Sequence, residues 1–237
     1  MKKIISTIVL FGICPLLFAS NDNCHPKIDE SMPQYIIGYG SLMNEQSKRA
    51  TDPDAGDGMP VWIKGFKRGW FSRAEATGGP TFLGIIAQRN ADMNAAIYPI
   101  PISAVDKYDQ RENTYCRKAV LSDDIRSLTS KTLPQGQMWV YVSSKESIKL
   151  ADTSYPLVQS YVDIFLSGCL QLEKQFQLHD FAKACIQTTD GWSAYWENDR
   201  IFPRRPWQYQ PDAVAIDKLL SDNLPALFSQ IKQPRFD

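Results

Sequence analysis

The sequence predicts an α+β fold, and three observations carry that reading. Runs of β-branched and aromatic residues, bounded by Gly, Pro and Asp, crowd the chain between Gln34 and Ser143. From Tyr155 onward the apolar residues fall instead at spacings of three and four, the period of a helix. Strands followed by helices, rather than alternating with them, describe an α+β arrangement and not a doubly wound sheet. Six or so short strands are enough to close into a small barrel, though the pattern fixes no topology.

Each element has its own signal. Residues 21–33 are polar, contain Pro26 and Pro33, and read as a lead-in. Gln34–Tyr39 is a short apolar strand running into Gly40-Ser41. Residues 51–60, dense in Asp, Gly and Pro, form a loop. Val61–Phe71 reads as one strand, or as a bent pair around Gly65 and Gly69. Thr77–Pro80 is a turn, and Phe82–Gln88 and Asn94–Ile100 are two further strand runs. Ser103 can cap a helix carrying Val105, Tyr108 and Asp109. Tyr115–Leu121 and Gln137–Ser143 are the last strands. Val158, Val162, Phe165, Leu166 and Cys169 then line one helix face, and Asp180–Ile186 makes a second helix. Residues 190–211 are irregular, with Trp, Arg and Pro interleaved, and Asp212–Ile231 is helical with a break near Pro225.

With 237 residues, the chain can bury a core without cross-links or a metal. Lys plus Arg and Asp plus Glu both number 26, a balance that excludes a general nucleic-acid binder with its basic surface. A hydrophobic share of 43% excludes an acidic disordered chain. Two histidines in all speak against a His-rich metal site.

The first 20 residues stand apart. Lys2-Lys3 precedes Ile4–Ala19, apolar apart from Ser6 and Thr7, and polar residues follow at once. This is the layout of a secretory signal peptide. The apolar run is interrupted by Gly12 and Pro15 and is short for a membrane span of about 20 residues. Leu17 or Phe18 stands where a small residue is preferred before the cut, and Ile13 before Cys14 does not suit lipid attachment. The expectation is an exported protein, periplasmic or secreted, without stable membrane insertion once residues 1–20 are removed; an uncleaved anchor is the alternative. What remains carries Cys24, Cys116, Cys169 and Cys185, an even count that permits two disulfides in an oxidising compartment. Of three possible pairings, Cys169 with Cys185 suits two helices joined by a turn; four buried thiols are the alternative. No CxxC pattern points to zinc or thioredoxin chemistry.

Several chemistries lack their residues. Neither His25 nor His179 accompanies a GxSxG elbow, there is no P-loop, and Gly38-Tyr39-Gly40 lacks the third glycine of a dinucleotide fingerprint. Arg200, Arg204 and Arg205 lie among Phe202, Trp207 and Tyr209, a mixture that binds phosphates or bases in some proteins and braces a folded C-terminus in more. Two segments are richer. Tyr39-Gly40-Ser41-Leu42-Met43 follows a strand, and such a turn exposes backbone N–H groups that hold a carboxylate or an oxyanion. Asp109–Arg117 packs carboxylates, Arg and Tyr where a helix ends and a strand begins. A Glu112 turned inward there would have its charge biased by Arg111 and Arg117 and its pKa raised by burial. Taken singly, the first is an ordinary turn and the second a solvated helix end.

Together, the two segments resemble the gamma-glutamylcyclotransferase-like family. Tyr39–Leu42 resembles its Tyr-Gly-Ser-(Leu or Asn) signature after the first strand, and Asp109, Glu112, Tyr115 and Arg117 resemble its Asp-x-x-Glu followed by Tyr and Arg. Ile63–Phe66, Asn94–Tyr98 and Trp139–Val142 resemble the strands between and after them, with Ala95-Ala96 where the family has a glycine and Tyr108 where it has leucine. The resemblance runs from residue 34 to about 190. It implies one gamma-glutamylcyclotransferase-like domain over 34–190, a small mixed β-barrel flanked by helices, with 191–237 as a helical extension packed on it.

The resemblance also implies an activity. The substrate's own α-amine attacks its γ-carbonyl, releasing 5-oxoproline and an amine or amino acid. Glu112 would be the acid–base residue, the backbone of Tyr39, Gly40, Ser41, Leu42 and Met43 would hold the substrate, and Tyr115 and Tyr141 would orient it with Tyr39. The implied partner is a small γ-glutamyl molecule, with no cofactor and no metal. Two alternatives use the same residues: a non-catalytic exported binding module, and a trimming enzyme acting on a γ-glutamyl group of a larger molecule.

Overall fold

The computed structural model describes residues 24–73, 79–143, 147–205 and 212–233. The expected leader, part of the Thr77–Pro80 turn, Trp207 and Tyr209 lie outside the described residues.

The fold is α+β, built on a mixed seven-stranded sheet. The central strand is β1 (Gln34–Gly38), antiparallel to β3 (Thr81–Ile100) and parallel to β6 (Gln137–Val142). β2 (Met59–Arg73) pairs with β3 as a long hairpin, β4 (Cys116–Ala119) flanks β6, and β5 (Ile125–Ser127) flanks β2. The order is β4-β6-β1-β3-β2-β5, with β8 (Thr189–Asp190) also on β2. The sheet curls on itself. Past the short β1, the Ser143 N–H reaches the Ile85 carbonyl of β3 at 2.8 Å. The residues facing inward from the curl form a core supplied by strands and their flanks: Ile37, Val61, Ile63, Ile85, Ile97, Val140 and their neighbours.

The opposite face of the sheet is covered in two places. α2 (Val105–Arg111) sets Val105 and Tyr108 against Ile36, Tyr98 and Trp139. α3 (Gln159–Phe176) and α4 (Phe181–Gln187) form the larger helical core around Trp70 and Leu83. Residues beyond 190 join that core: β9 (Trp196–Glu197) pairs with β7 (Leu157–Val158), and α5 (Ala213–Asn223) contributes Ile216 and Leu220. α6 (Pro225–Phe228) restarts at Pro225, where the missing N–H is tolerated in a first turn. Arg200 binds Asp163 of α3 at 2.7 Å and Asp217 of α5 at 2.8 Å. No helix among the described residues is long and apolar enough to cross a membrane.

Two disulfides are formed, Cys169–Cys185 between α3 and α4, and Cys24–Cys116 between the lead-in and β4. Both cross-links fit an oxidising compartment.

Besides the start of α2, where Ala104 and not Ser103 precedes the helix and no side chain caps it, three details differ from the sequence reading. The runs Phe82–Gln88 and Asn94–Ile100 belong to one strand, β3. The polar residues between them mark a lapse in pairing, since Lys64 opposes Asp92 while Phe66 opposes Ala87. Gly65 takes φ 83° at that bulge, a left-handed conformation suited to glycine. Second, α1 (Glu45–Thr51) has no apolar stripe to betray it; the side chain of Asn44 caps it, accepting the Ser47 N–H at 2.9 Å. Third, the helix expected near Tyr155 begins at Gln159, because Leu157 and Val158 are used as β7.

Candidate active site

β1 ends at Gly38, and the chain turns through a single 3-10 turn, Ser41–Met43. Within it, the Met43 N–H donates to the Gly40 carbonyl at 3.0 Å and the Asn44 N–H to the Ser41 carbonyl at 3.1 Å. The leading N–H groups of such a turn, here those of Ser41 and Leu42, have no acceptor within it. Two packing contacts fix the turn. Gly168 lets α3 press on it, since a Cβ there would stand 2.5 Å from the Asn44 nitrogen. Arg68, fully buried on β2, donates to the Tyr39 carbonyl at 3.0 Å.

Arg68 has no carboxylate among its partners. It donates instead to the Asn94 carbonyl and side chain at 2.9 Å, the Cys185 carbonyl at 3.0 Å, and the hydroxyls of Thr188 and Thr189 at 2.8 and 2.7 Å. Burial lowers its pKa to about 9, so it stays charged at neutral pH and ties β1, β2, β3 and the end of α4 together.

Glu112 sits just past the end of α2, its backbone N–H bonded to the Tyr108 carbonyl at 2.9 Å. Its side chain is 16% exposed, and its oxygen accepts from the Arg111 Nε at 2.9 Å. Burial raises its pKa above the ordinary glutamate value, against the pull of Arg111 and, more weakly, Arg205. The same Arg111 guanidinium reaches the Ser41 hydroxyl at 3.2 Å and the Thr51 hydroxyl. One side chain thus links the buried carboxylate to the turn after β1.

Glu112 and the turn open on one cavity of about 670 Å³. Tyr39, Gly40, Ser41, Leu42, Tyr115 and Tyr141 line it, so seven of the eight residues named from the sequence are brought together. Met43 is not. It is third in the 3-10 turn, so its N–H is spent on Gly40 and its side chain points into the helical core beneath α3. Among the tyrosines, the Tyr39 hydroxyl donates to the Tyr141 carbonyl at 2.9 Å, and the Tyr141 hydroxyl to Asp109 at 2.6 Å. The Tyr115 hydroxyl makes a long contact to the Leu83 carbonyl at 3.4 Å. Burial pushes all three phenols up, so they remain donors at neutral pH.

Arg117 was expected to bias Glu112, and it does not. Its guanidinium is taken up by Asp109 at 2.9 Å, the Pro26 carbonyl at 2.9 Å and the face of the Trp139 ring. Among the lining residues that the sequence reading did not name are Tyr161 on the first turn of α3, Phe82 and Leu83 on β3, Arg73 at the end of β2, and Arg205 from the segment beyond β9. Of the three arginines expected to brace the C-terminus, Arg200 pairs with Asp163 and Asp217, and Arg204 with Glu197. Arg205 instead lines the cavity.

No family model matches the sequence, and no curated protein matches it. Among solved structures, a gamma-glutamyl cyclotransferase superposes with a TM-score of 0.51 at 13% identity, over 66% of this chain and 88% of its own. A crystal structure of an uncharacterized human protein superposes with the same score, identity and coverage. The chain therefore has the fold of a gamma-glutamyl cyclotransferase, and at this identity the likeness speaks to the fold.

Proposed function

We propose that this protein is a gamma-glutamylcyclotransferase-like enzyme, releasing 5-oxoproline and an amine or amino acid from a small γ-glutamyl amide. The observation that carries the reading is the buried Glu112 carboxylate, with a raised pKa, sharing a cavity with the turn whose Ser41 and Leu42 N–H groups lack acceptors within it.

The chemistry follows from that pairing. Glu112 takes a proton from the substrate's α-ammonium, which a carboxylate of raised pKa does better than an ordinary one. The freed amine attacks the γ-carbonyl carbon. Closing the ring within one molecule gains from proximity, worth up to about 7–11 kcal/mol. The carbonyl oxygen becomes negative and is met by the Ser41 and Leu42 N–H groups; losing one such donor elsewhere costs about 3–4 kcal/mol. The C–N bond to the leaving amine then breaks, and Glu112 returns the proton to that amine. Tyr39, Tyr115 and Tyr141 shape the wall around the γ-glutamyl group. Arg111 holds the Glu112 carboxylate toward the turn. The step needs neither a metal nor an organic cofactor.

In this proposal residues 34–190 carry the reaction, 191–237 are an extension packed on the same domain, and residues 1–20 direct export to the periplasm or beyond. The partner is a small molecule rather than a nucleic acid or membrane. The test is 5-oxoproline release from γ-glutamyl dipeptides, glutathione and γ-glutamyl-lysine by wild type and Glu112→Gln. We expect release by wild type and its loss in the variant. Release from none would favour a binding module. Release only from γ-glutamyl groups attached to larger molecules would favour a trimming enzyme.

A further inference from the structure

Arg205 is the one cavity arginine without a polar partner for its guanidinium among the described residues. Arg111 is spent on Glu112, Ser41 and Thr51, and Arg73 on Asp152 and the Leu150 carbonyl. The Arg205 Nε is buried and unpaired. Buried donors left without an acceptor are rare, and each calls for an explanation.

Hydrogen bonds fix the backbone that carries Arg205. Asp199, 1% exposed, accepts the Ser160 N–H at 2.7 Å, the Ser160 hydroxyl at 2.8 Å and the Arg204 N–H at 2.8 Å. The Arg205 N–H then donates to the Ser160 hydroxyl oxygen at 3.2 Å. These bonds pin the backbone of residues 199–205 to the start of α3. The guanidinium lies 5.4 Å from the Phe82 ring centre and 5.8 Å from that of Tyr161, two walls of the cavity. A planar fork laid on aromatic faces, partly dried and without a partner, is preorganised for a carboxylate.

The geometry points to Arg205 as a specificity-determining residue that binds a carboxylate on the amine side of the substrate. This rests on the cyclotransferase reading above, where the turn after β1 serves the γ-carbonyl and Glu112 the two nitrogens. A γ-glutamyl amino acid carries two carboxylates, the α-carboxylate common to every γ-glutamyl substrate and that of the leaving group, and Arg205 is assigned to the second. The favoured substrate class is γ-glutamyl amino acids or peptides with a free carboxylate beside the scissile amide, and neutral γ-glutamyl amides are disfavoured. Arg205 lies beyond residue 190, so the extension supplies the selectivity.

The test compares γ-glutamyl-alanine with γ-glutamyl-alaninamide, which differ only in that charge. Wild type should show kcat/KM about 10- to 100-fold higher for the acid, the range for a charged hydrogen bond, with the difference in KM. In Arg205→Gln the ratio should fall to near one, and Arg205→Lys should recover part of it. The proposal is overturned if wild type shows no preference, or if Arg205→Gln keeps it. Should the Gln variant fail to fold, the wild-type ratio and the Lys variant decide alone. Calorimetric binding of the same two compounds to wild type separates the two readings. Preferential binding of the acid without any turnover would sink the cyclotransferase reading and leave the Arg205 assignment standing.

Discussion

Asp109 and Glu112 stand three residues apart at the end of one short helix, and the fold treats them in opposite ways. Burial pushes Asp109 up, but hydrogen bonds from Tyr141 and Arg117, with the Arg117 and His25 charges, outweigh it and leave the pKa below the usual value. Burial also pushes Glu112 up, and Arg111 does not offset it, so that pKa stays raised. Asp109 is a settled anion that fixes Tyr141 and, through it, the wall of the cavity. Glu112 holds a proton more readily than an ordinary glutamate. Two carboxylates whose surroundings drive their pKa values apart are how one site assigns separate roles. The Asp-x-x-Glu spacing thus joins a structural residue to a proposed acid–base residue at the end of α2.

Neutralising each carboxylate in turn gives the largest contrast. Glu112→Gln should lower kcat by about 10²- to 10⁴-fold, the range for losing a general acid–base group, and leave the fold intact. Its melting temperature at pH 7 should match or exceed wild type, because it removes a buried charge. Asp109→Asn should do the reverse, costing about 1–3 kcal/mol of stability as Arg117 and Tyr141 lose a charged acceptor. Its loss of kcat should be the smaller of the two. Equal kinetic losses, measured beside thermal unfolding curves, would erase the division of roles.

Arg68 breaks the comparison from beneath. Arg68→Met would strand the carbonyls of Tyr39 and Asn94 in a dry interior. We expect a loss of about 3–5 kcal/mol, or on the order of 10 °C in melting temperature, together with lost activity as the turn loosens. A variant as stable as wild type would mean that the turn needs no such anchor.

Little of this second layer was legible in the sequence, whereas the first layer was. The Tyr39–Met43 turn and the Asp109–Arg117 junction are local, and each keeps its chemistry within a few positions. The strands Gln34–Gly38 and Gln137–Val142 were legible for the same reason, since both faces are buried and read as continuous apolar runs. Arg68 reads as an ordinary polar residue in a strand, and its partners lie 26 to 121 positions away. Arg205 looks like its neighbours Arg200 and Arg204, and only the fold shows which two meet a carboxylate. β7, β8 and β9 are two residues each, too short for any period to be counted.

The pH dependence tests the opposed shifts directly, because their signs differ. Glu112 binds its proton more tightly folded than unfolded, so its cost to stability appears as pH rises from the ordinary glutamate value of 4.5 through the folded value. Asp109 contributes stability above the ordinary aspartate value of 3.8, lost as pH falls through its lower folded value. Glu112→Gln should therefore gain on wild type toward neutral pH and lose that advantage near pH 4. Asp109→Asn should be weaker than wild type at neutral pH and converge with it in stronger acid. In activity, the acidic limb of the kcat/KM profile should lie above the ordinary glutamate pKa. A limb at or below it would take Glu112 out of the role of base.

The smallest effect is the most selective. Tyr141→Phe keeps the ring against the cavity and removes only the hydroxyl that Asp109 accepts at 2.6 Å. Asp109 retains Arg117 at 2.9 Å, so about 1–2 kcal/mol should be lost, without the larger cost of an isolated buried charge. The backbone carbonyl of residue 141 still accepts from Tyr39, so the turn after β1 should keep its place. The expected kinetic change is a rise in KM of a few fold with kcat nearly held, because Glu112 and the free N–H groups of the turn are untouched. A fall in kcat approaching that of Glu112→Gln would mean that the Tyr141 hydroxyl, and not only its ring, takes part in the chemistry. Asp109, Tyr141 and Glu112 would then act as one unit.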